Sequence, residues 1–378
     1  MFYANTLHPV RAVILGRFAA VLVHLALFCP CSGCREPVAD AAASAPTAAT
    51  RAALCERIDR ALTHVRDRRR LDTTVHGAWQ VVHGILAFGR DFQIQHGADV
   101  VPALDYLLDG GSLTGWRLRP GEHGLFAVVE EGSTTGQGHP DQWLGYLSQC
   151  GLGGIPLETP IRVAGRWYTV SDLLDQAQSD LREGQEATWT LMALATYLPP
   201  DAAWTAADGA RWTTERVVAM EAAADLSTSA CGGAHRLFGL VTAINARRAA
   251  SGEDGLTGGW ASAAEVIEDA IDRARRFQQP DGSFSIHSFD RPGTSANVMA
   301  RLSATGHLFE VVVAALDDER LREPWVERAA ERLVSLLEQT ADVDVECGGL
   351  YHAAHGLLLY RQRNCPAGRP GPPAPLAE

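Results

Sequence analysis

Two short segments of the sequence combine cysteine, glycine and histidine at similar spacing. They are Cys231-Gly-Gly-Ala-His235 and Cys347-Gly-Gly-Leu-Tyr-His352, and each is followed by a Gly-Leu pair at the next turn. Zinc binds thiolate sulfur and imidazole nitrogen in tetrahedral sets. We therefore predict a zinc site formed by these four residues, with the Cys-x3-His spacing placing Cys231 and His235 on one helical face. Two alternatives stay open, namely packing of small buried thiols and a Cys231–Cys347 disulfide.

Other polar residues recur on stretches that are otherwise apolar. Burying such groups without partners is costly, so polar positions that share one helical face indicate a cavity. Each polar stripe begins at a predicted helix N-terminus, and we expect these ends to gather at one mouth. The alternative is that they are core polar groups bonded between helices. The predicted cavity-lining residues are His76, Gln80, His83, Gln142, Tyr146, Asn297 and Arg301.

Carboxylates near the same mouth are candidates for acid–base chemistry. We predict Glu186, His139 and Asp141 as catalytic residues. Glycoside hydrolysis uses two carboxylates that flank the scissile bond. Many proteins with the (α/α)6 toroid architecture, which is predicted for this chain below, act on glycans. Tryptophans on the same stretches would stack on sugars, although packing between helices is the more common use of such side chains.

Helices are needed to position these residues. The sequence contains twelve helix-like stretches, and along the chain charged stretches alternate with nearly uncharged ones. One set is amphipathic and charged, whereas its partners are almost free of charge, so the partners should be buried and the charged set should cover them. The charged stretches are 52–69, 98–109, 170–183, 211–225, 261–277 and 321–339. Their partners are 76–93, 139–150, 186–198, 232–249, 297–316 and 347–362.

Six such hairpins predict an all-α chain with the architecture of an (α/α)6 toroid. The intervals between partner stretches are longest where insertions occur, at 110–136 and 280–296. Short β-hairpins are predicted within the first insertion, around 125–129, and at 161–169. An open superhelix of the same hairpins is the alternative architecture.

One motif resembles a known family. Residues 278–284, Gln-Gln-Pro-Asp-Gly-Ser-Phe, are similar to the Gln-x3-Gly-x-aromatic repeat of the terpenoid cyclase and protein prenyltransferase toroids, and Gly258-Gly-Trp260 resembles a fragment of another copy. The resemblance implies a toroid in which the Gln and the aromatic residue tie successive hairpins together. It also implies an isoprenoid-like ligand.

Prenyltransferase β subunits hold zinc with Asp-x-Cys on one helix and a His after an aromatic residue on another. Ser229-Ala-Cys231 resembles the first element, with Ser in place of Asp, and Tyr351-His352 resembles the second. The Asp-x-Asp-Asp motif of squalene cyclases and an Asp-Asp-x-x-Asp diphosphate site are absent from the sequence. We therefore expect neither the squalene reaction nor the protein-prenyl reaction.

The N-terminus has the layout of an export signal. Residues 1–33 contain Arg11 and Arg17, no acids, and an apolar run of about 11 residues that is too short to span a bilayer. Ser32-Gly-Cys34 resembles the end of a bacterial lipobox, with Cys31 where an aliphatic residue is usual, so lipidation of Cys34 and simple cleavage both stay open. Residues 34–51 are predicted as a tether, 52–363 as the toroid, and the proline-rich 364–378 as a disordered tail.

Composition excludes several classes of function. The 378 residues are 46% hydrophobic and carry 33 basic and 45 acidic side chains, and every basic residue is arginine. The absence of lysine excludes Schiff-base and P-loop lysine chemistry, and the net charge of −12 argues against nucleic-acid binding.

The leading hypothesis is an exported periplasmic or cell-envelope toroid that contacts the membrane only through its N-terminal anchor. Its His-, Cys- and Gln-lined cavity would bind zinc or an isoprenoid-like or glycan ligand. A non-catalytic envelope scaffold is the alternative, and a glycan-processing enzyme with paired carboxylates is the third hypothesis. Fold analogy alone cannot decide between these functions.

Overall fold

The computed structural model describes residues 48–129, 138–151 and 153–365. These residues are mostly helical, with twelve α-helices and nine short strands among them. The prediction of a mainly α-helical chain with small β insertions is therefore confirmed. The predicted signal peptide 1–33, the lipidation candidate Cys34 and residues 366–378 of the predicted tail lie outside the described residues.

Six helices coincide with the charged stretches. In α9 the buried residues Trp260, Ala263, Ile267, Ala270 and Ile271 recur at helical spacing, and the opposite side carries Glu, Asp and Arg. Such a helix buries one stripe and leaves the rest in solvent. The six are α1 (Ala48–Arg68), α3 (Ala103–Leu108), α5 (Val170–Asp180), α7 (Thr214–Ala222), α9 (Gly259–Arg276) and α11 (Pro324–Gln339).

The other six helices coincide with the partner stretches and are largely buried. In α6 every residue from Thr188 to Ala195 is buried, because an apolar helix without a charged side can be covered all round. These helices are α2 (Ala78–Phe88), α4 (Gln142–Gln149), α6 (Thr188–Tyr197), α8 (Ala234–Ser251), α10 (Val298–Ala315) and α12 (Cys347–Asn364).

The buried helices contact one another in chain order. Helix α2 packs against α4, α4 against α6, α6 against α8, α8 against α10 and α10 against α12. Helix α12 also packs against α2, so the series of contacts returns to its first member. The core of the protein therefore lies among these six helices.

Four small sheets lie between the helices. Both predicted hairpins are present, as β4 (Trp116–Pro120) with β5 (Leu125–Val129) and β6 (Pro160–Val163) with β7 (Arg166–Thr169). Two further sheets are not predicted by the sequence analysis. One joins β1 (Leu71–Asp72), β2 (Gln93–His96) and β3 (Asp99–Pro102), and the other pairs β8 (Ala203–Thr205) with β9 (Arg211–Thr213). Helix α3 is shorter than predicted because β3 occupies its expected first turn.

The Gln-x3-Gly-x-aromatic motif connects α9 to α11. The Gln278 side chain donates to the Gly282 carbonyl at 3.1 Å and to the Trp325 carbonyl at 2.8 Å. Phe284 is fully buried, and its ring lies 6.1 Å from the Trp325 ring, centroid to centroid. The motif therefore has a structural role in this chain.

A disulfide joins the two ends of the described fold. Cys55 on α1 is bonded to Cys365, the residue after α12. Cys231 and Cys347 are both free thiols, so the alternative of a disulfide between them is wrong. Helix α1 begins within the predicted tether, and α12 ends on Asn364, the first residue of the predicted tail.

Within the described residues, α10 alone is long and apolar enough to cross a membrane. More than half of its apolar window is buried inside the protein, as in the core helix of a globular fold. The length and composition of α10 are therefore weak evidence for a membrane span.

Candidate metal centre

Side chains from five buried helices and their flanking loops line a cavity of about 660 Å³, which we call the histidine cavity. Its wall includes Trp79 on α2 and the acids Asp344 and Glu346 before α12. Five histidines contribute to it, and no arginine is among its described lining residues. The polar members of the wall on or beside α2, α4, α8 and α10 are His76, Gln80, His83, His139, Gln142, Cys231, His235, Ser303 and His307.

Three of these residues form a compact group of metal-ligand type. One ligand atom each from Cys231, His235 and His307 lies within 4.8 Å of the other two. Ligand atoms that bind one zinc ion tetrahedrally at about 2.0–2.3 Å are roughly 3.3–3.8 Å apart, so side-chain movements on the order of 1 Å would close the set. We call these three residues the Cys/His/His cluster.

The Cys231 thiol reaches the cluster from a left-handed turn. Cys231, Gly232 and Gly233 have φ angles of 51°, 64° and 88°, and α8 begins only at Ala234. The prediction that Cys231 and His235 share a helical face is therefore wrong, although the two residues do meet. A non-glycine residue in this backbone region is strained, and such residues concentrate at functional sites.

His307 is oriented by its own helix. Its Nδ1 donates to the Ser303 carbonyl at 2.8 Å, which leaves Nε2 available for the cluster. Metal-binding histidines usually donate their second ring nitrogen in this way. Burial acts to lower the pKa of His307, but the charge and hydrogen bond of Cys231, aided by the Ser303 carbonyl, raise it to about 9.

His235 is the second imidazole of the cluster, and it is 6% exposed. Burial, together with the neighbouring His352 and His307, holds its pKa well below the usual range, so the ring is neutral as a metal ligand must be. Its ring packs against Trp189 and His352, at 5.1 and 4.8 Å between centroids. No described residue forms a hydrogen bond with its ring nitrogens. A buried imidazole without a partner is available to a ligand.

A second buried cluster lies directly behind the first. Glu310 accepts a hydrogen bond from His352 Nδ1 at 2.8 Å and another from His355 Nδ1. Burial acts to raise the pKa of Glu310, but the two imidazoles outweigh it and hold that pKa well below its usual range. The His352 ring is 4.2 Å from the His307 ring, centroid to centroid. An ionised carboxylate is thus one imidazole away from the metal ligands.

The predicted set of metal ligands needs correction at two positions. Cys231 and His235 belong to the Cys/His/His cluster, whereas Cys347 and His352 do not. Burial raises the pKa of the Cys347 thiol to about 12, so this thiol is protonated in the absence of a metal. His352 packs beside the cluster, but its Nδ1 is engaged by Glu310.

Two of the three predicted catalytic residues form a pair. His139 Nδ1 donates to Glu186 Oε2 at 2.8 Å, and the His139 ring stacks on Trp189. Asp141 instead accepts a hydrogen bond from the Thr190 hydroxyl at 2.5 Å. Burial raises the pKa of Asp141 to about 6. His139 lines the histidine cavity, whereas Glu186 and Asp141 are bonded to different partners and are not among the described lining residues of that cavity.

The predicted cavity-lining residues divide into two groups. His76, Gln80, His83 and Gln142 line the histidine cavity, and Tyr146 is buried beneath it, where its hydroxyl donates to His83 Nε2 at 3.0 Å.

Asn297 and Arg301 belong to the second group and do not line this cavity. The Asn297 side chain caps α10 by accepting from the Met299 and Ala300 amides, and Arg301 pairs with Asp281 at 3.3 Å. Both residues are therefore used by the fold at the start of α10.

Sequence reasoning missed His307 as a ligand. It stands inside the apolar run of α10, and the packing of α10 on α8 brings it to Cys231 and His235. Gly306 beside it marks only the close approach of α10 to α12, because a Cβ at that position would lie 2.8 Å from the Ala353 amide nitrogen. Glycine at such a position permits two helices to approach closely.

A second cavity of about 760 Å³ lies on the other side of the cluster. It shares Cys231, Ser303 and His307 with the histidine cavity, and its own wall includes Arg273 and Arg291. The cluster is thus open on two sides.

No protein-family model matches this chain, no curated protein matches it, and no solved structure matches it. The resemblance of residues 278–284 to the repeat of terpenoid cyclase and prenyltransferase toroids therefore stays a prediction from the sequence.

Proposed function

We propose that this protein is an exported zinc enzyme in which Cys231, His235 and His307 bind the metal. The observation that carries the proposal is the approach of these three ligand atoms to within 4.8 Å at the wall of a 660 Å³ cavity. Catalytic zinc sites have three protein ligands and keep the fourth position for water or substrate. Zinc held in this way polarises a carbonyl oxygen and lowers the pKa of bound water to about 7.

The donor set and its surroundings support zinc at this position. Cys231 supplies the thiolate, the neutral His235 ring has no competing hydrogen bond from a described residue, and Ser303 fixes the tautomer of His307. Two open sides give substrate and water access to the fourth position. A structural zinc site would instead be closed by four protein ligands.

We also propose that the twelve helices form an (α/α)6 toroid. Support comes from the contacts of the buried helices, which run from α2 to α12 and return to α2, and from the charged helices that alternate with them along the chain. In such an architecture the N-terminal ends of the buried helices surround one cavity, as the wall of the histidine cavity suggests.

Export to the periplasm or cell envelope is proposed on two grounds. The Cys55–Cys365 disulfide is of the kind that persists in oxidising compartments, and the N-terminal pattern is that of a signal peptide. Mass spectrometry of the N-terminal peptide of the exported protein tests this proposal. A lipid-modified Cys34 or a free new N-terminus is expected, whereas an intact residue 1 would contradict export.

The metal is tested by elemental analysis of the full chain produced without a metal-affinity tag. We expect one zinc per chain after equilibration with zinc and dialysis, and loss of that zinc in His235→Ala and His307→Ala. His139→Ala is the matched control, since His139 lines the same cavity outside the cluster. Absence of stoichiometric metal in the wild-type protein, or zinc retained by both ligand variants, would overturn the proposal.

Cobalt substitution tests the ligand set and the open position. A thiolate-to-cobalt charge-transfer band is expected in the wild-type protein and not in Cys231→Ser. Acetohydroxamic acid should then change the cobalt ligand-field bands, because an open position accepts an added ligand. Unchanged bands at saturating hydroxamate would contradict the catalytic type of site.

A non-catalytic envelope scaffold is the second candidate. The observation that favours it is the internal pairing of polar side chains, as in His139 with Glu186 and His352 with Glu310. Under this alternative the wild-type protein would hold no zinc, and alanine at His235 and His307 would change stability alone.

A further inference from the structure

The charge balance of the Cys/His/His cluster leaves one positive charge on a bound divalent metal. Cys231 contributes one negative charge as thiolate, whereas His235 and His307 bind as neutral imidazoles. A site with this balance would attract anions unless another negative charge lies nearby. The identity of that charge therefore determines which ligands can occupy the fourth position.

Glu310 supplies such a charge. It is 3% exposed, and its two oxygens accept from His352 and His355, which keep the carboxylate ionised. The His352 ring contacts both histidines of the cluster, at 4.2 Å from His307 and 4.8 Å from His235 between centroids. The Glu310 carboxylate and a metal bound at the cluster would be separated mainly by the His352 ring. Charges that interact through a protein interior do so more strongly than in water.

The walls of the two cavities reinforce this balance. The histidine cavity contains the acids Asp344 and Glu346 and no arginine among its described lining residues. In the second cavity Arg273 pairs with Asp269 at 2.8 Å and Arg291 with Asp290 at 2.7 Å. Each of these arginines has its own counter-ion, so neither cavity offers an unpaired cation to an anionic substrate.

We propose that the loaded metal site is electrically neutral as a whole and takes a substrate group that is uncharged or cationic, with Glu310 as the charge that excludes anions. This inference rests on the proposed zinc site. It favours amide or ester carbonyls and amine-bearing ligands, and it disfavours phosphate esters, diphosphates and carboxylates. Glu310 acts through His352 on the metal and is thus a positioning residue.

The test uses the cobalt-loaded full chain, with wild type and all variants compared at pH 8. Azide serves as the anionic probe and imidazole as the neutral probe, and both affinities are read from the cobalt spectrum. In Glu310→Gln we expect azide to bind tighter by on the order of tenfold, as for removal of one nearby unit charge in a partly screened interior. Imidazole affinity should change by less than about twofold, because a neutral ligand does not sense the lost charge.

Two variants complete the comparison. Glu327→Gln is the matched control, because it removes a buried carboxylate of α11 that pairs with Arg51 of α1, and its azide-to-imidazole ratio should equal that of wild type. Asp344→Asn changes an exposed acid of the histidine cavity and should tighten azide modestly, so it carries the test if Glu310→Gln does not fold.

The outcomes separate the two proposals. If the wild-type protein takes up no cobalt, the zinc site itself is wrong. If cobalt binds but neither Glu310→Gln nor Asp344→Asn changes the azide-to-imidazole ratio, the zinc site stands and the charge inference is overturned.

Discussion

The triplet Cys-Gly-Gly occurs before α8 and at the start of α12, and its two copies have different conformations. At 231–233 all three residues have positive φ angles and form a turn that precedes the helix. At 347–349 the same three residues form the first turn of α12. Identical residues thus give a turn in one region and a helix in the other.

The residue before each triplet explains the difference. Both Glu346 carboxylate oxygens accept backbone hydrogen bonds, from the Gly348 and Gly349 amides at 2.6 and 2.8 Å, so the helix begins at Cys347. Before Cys231 the nearest polar side chain is Ser229, which donates to the Asp225 carbonyl and accepts from Arg236 instead. Without a cap, the two glycines adopt the left-handed turn that they permit.

The consequence is a different chemistry for the two thiols. Cys231 is exposed and belongs to the Cys/His/His cluster, whereas Cys347 is buried with a pKa raised to about 12. A cysteine becomes a metal ligand or nucleophile only as thiolate. The capping residue therefore decides which of the two equal triplets places its cysteine in the Cys/His/His cluster.

The largest expected effect is on metal affinity. Cys231→Ser should weaken zinc binding by at least about a hundredfold, more than the loss of an outer-shell partner, because it removes a thiolate ligand. Cys347→Ser should leave the zinc dissociation constant within about threefold of wild type, since its protonated thiol lies outside the cluster. Competition with a chromophoric chelator measures both constants. If Cys347→Ser weakens zinc binding as much as Cys231→Ser does, both triplets contribute to the metal site.

The positions of most helices, and which of them are buried, could be predicted from the sequence. Charge distinguishes α9, with its single buried stripe, from α6, which is buried on all sides. The sheet of β1, β2 and β3 was not predicted, because β3 lies in the stretch 98–109 that was assigned to a helix, and β1 has only two residues, too few for an alternation of polar and apolar residues.

The Cys/His/His cluster was predictable only in part. The sequence points to Cys231 and His235 through their spacing, but it assumes a helix where the uncapped glycines form a turn. It treats the second triplet as equivalent to the first because capping by Glu346 shows only in three dimensions. His307 was missed because a single histidine in an apolar helix is usually a core residue, and long-range packing decides its neighbours.

The second effect concerns the turn itself. In Gly232→Ala a Cβ would meet the Ser288 hydroxyl at 2.2 Å in a backbone region that alanine rarely adopts. We expect a loss of about 1–3 kcal/mol in the free energy of unfolding, measured by urea denaturation, together with weaker zinc binding. Gly209→Ala is the control for backbone strain alone, because it has a φ of 83° and no neighbour within 4 Å. It should cost about 1 kcal/mol and leave zinc affinity unchanged. If wild type, Gly232→Ala and Gly209→Ala bind zinc with equal affinity, the conformation of the turn does not control metal binding.

The smallest effect tests the cap. Glu346→Ala should lower the free energy of unfolding by about 1 kcal/mol, because the Gly348 and Gly349 amides lose their acceptor. Zinc affinity should not change, since α12 contributes no member of the Cys/His/His cluster. Alkylation of Cys347 by iodoacetamide at pH 8, read by mass spectrometry, should become faster as the first turn of α12 frays.

Two internal references make this result specific. Cys150 is also a buried free thiol with a pKa raised to about 12, and its alkylation rate should stay constant. Thr213→Ala removes the cap of α7, where the hydroxyl accepts from the Arg216 amide at 3.1 Å, and should cost a similar free energy without exposing Cys347. If Cys347 reacts equally fast in both cap variants, global unfolding controls its exposure and the local role of Glu346 is wrong. If only Glu346→Ala accelerates the reaction, this single carboxylate keeps the second triplet helical and its thiol protonated.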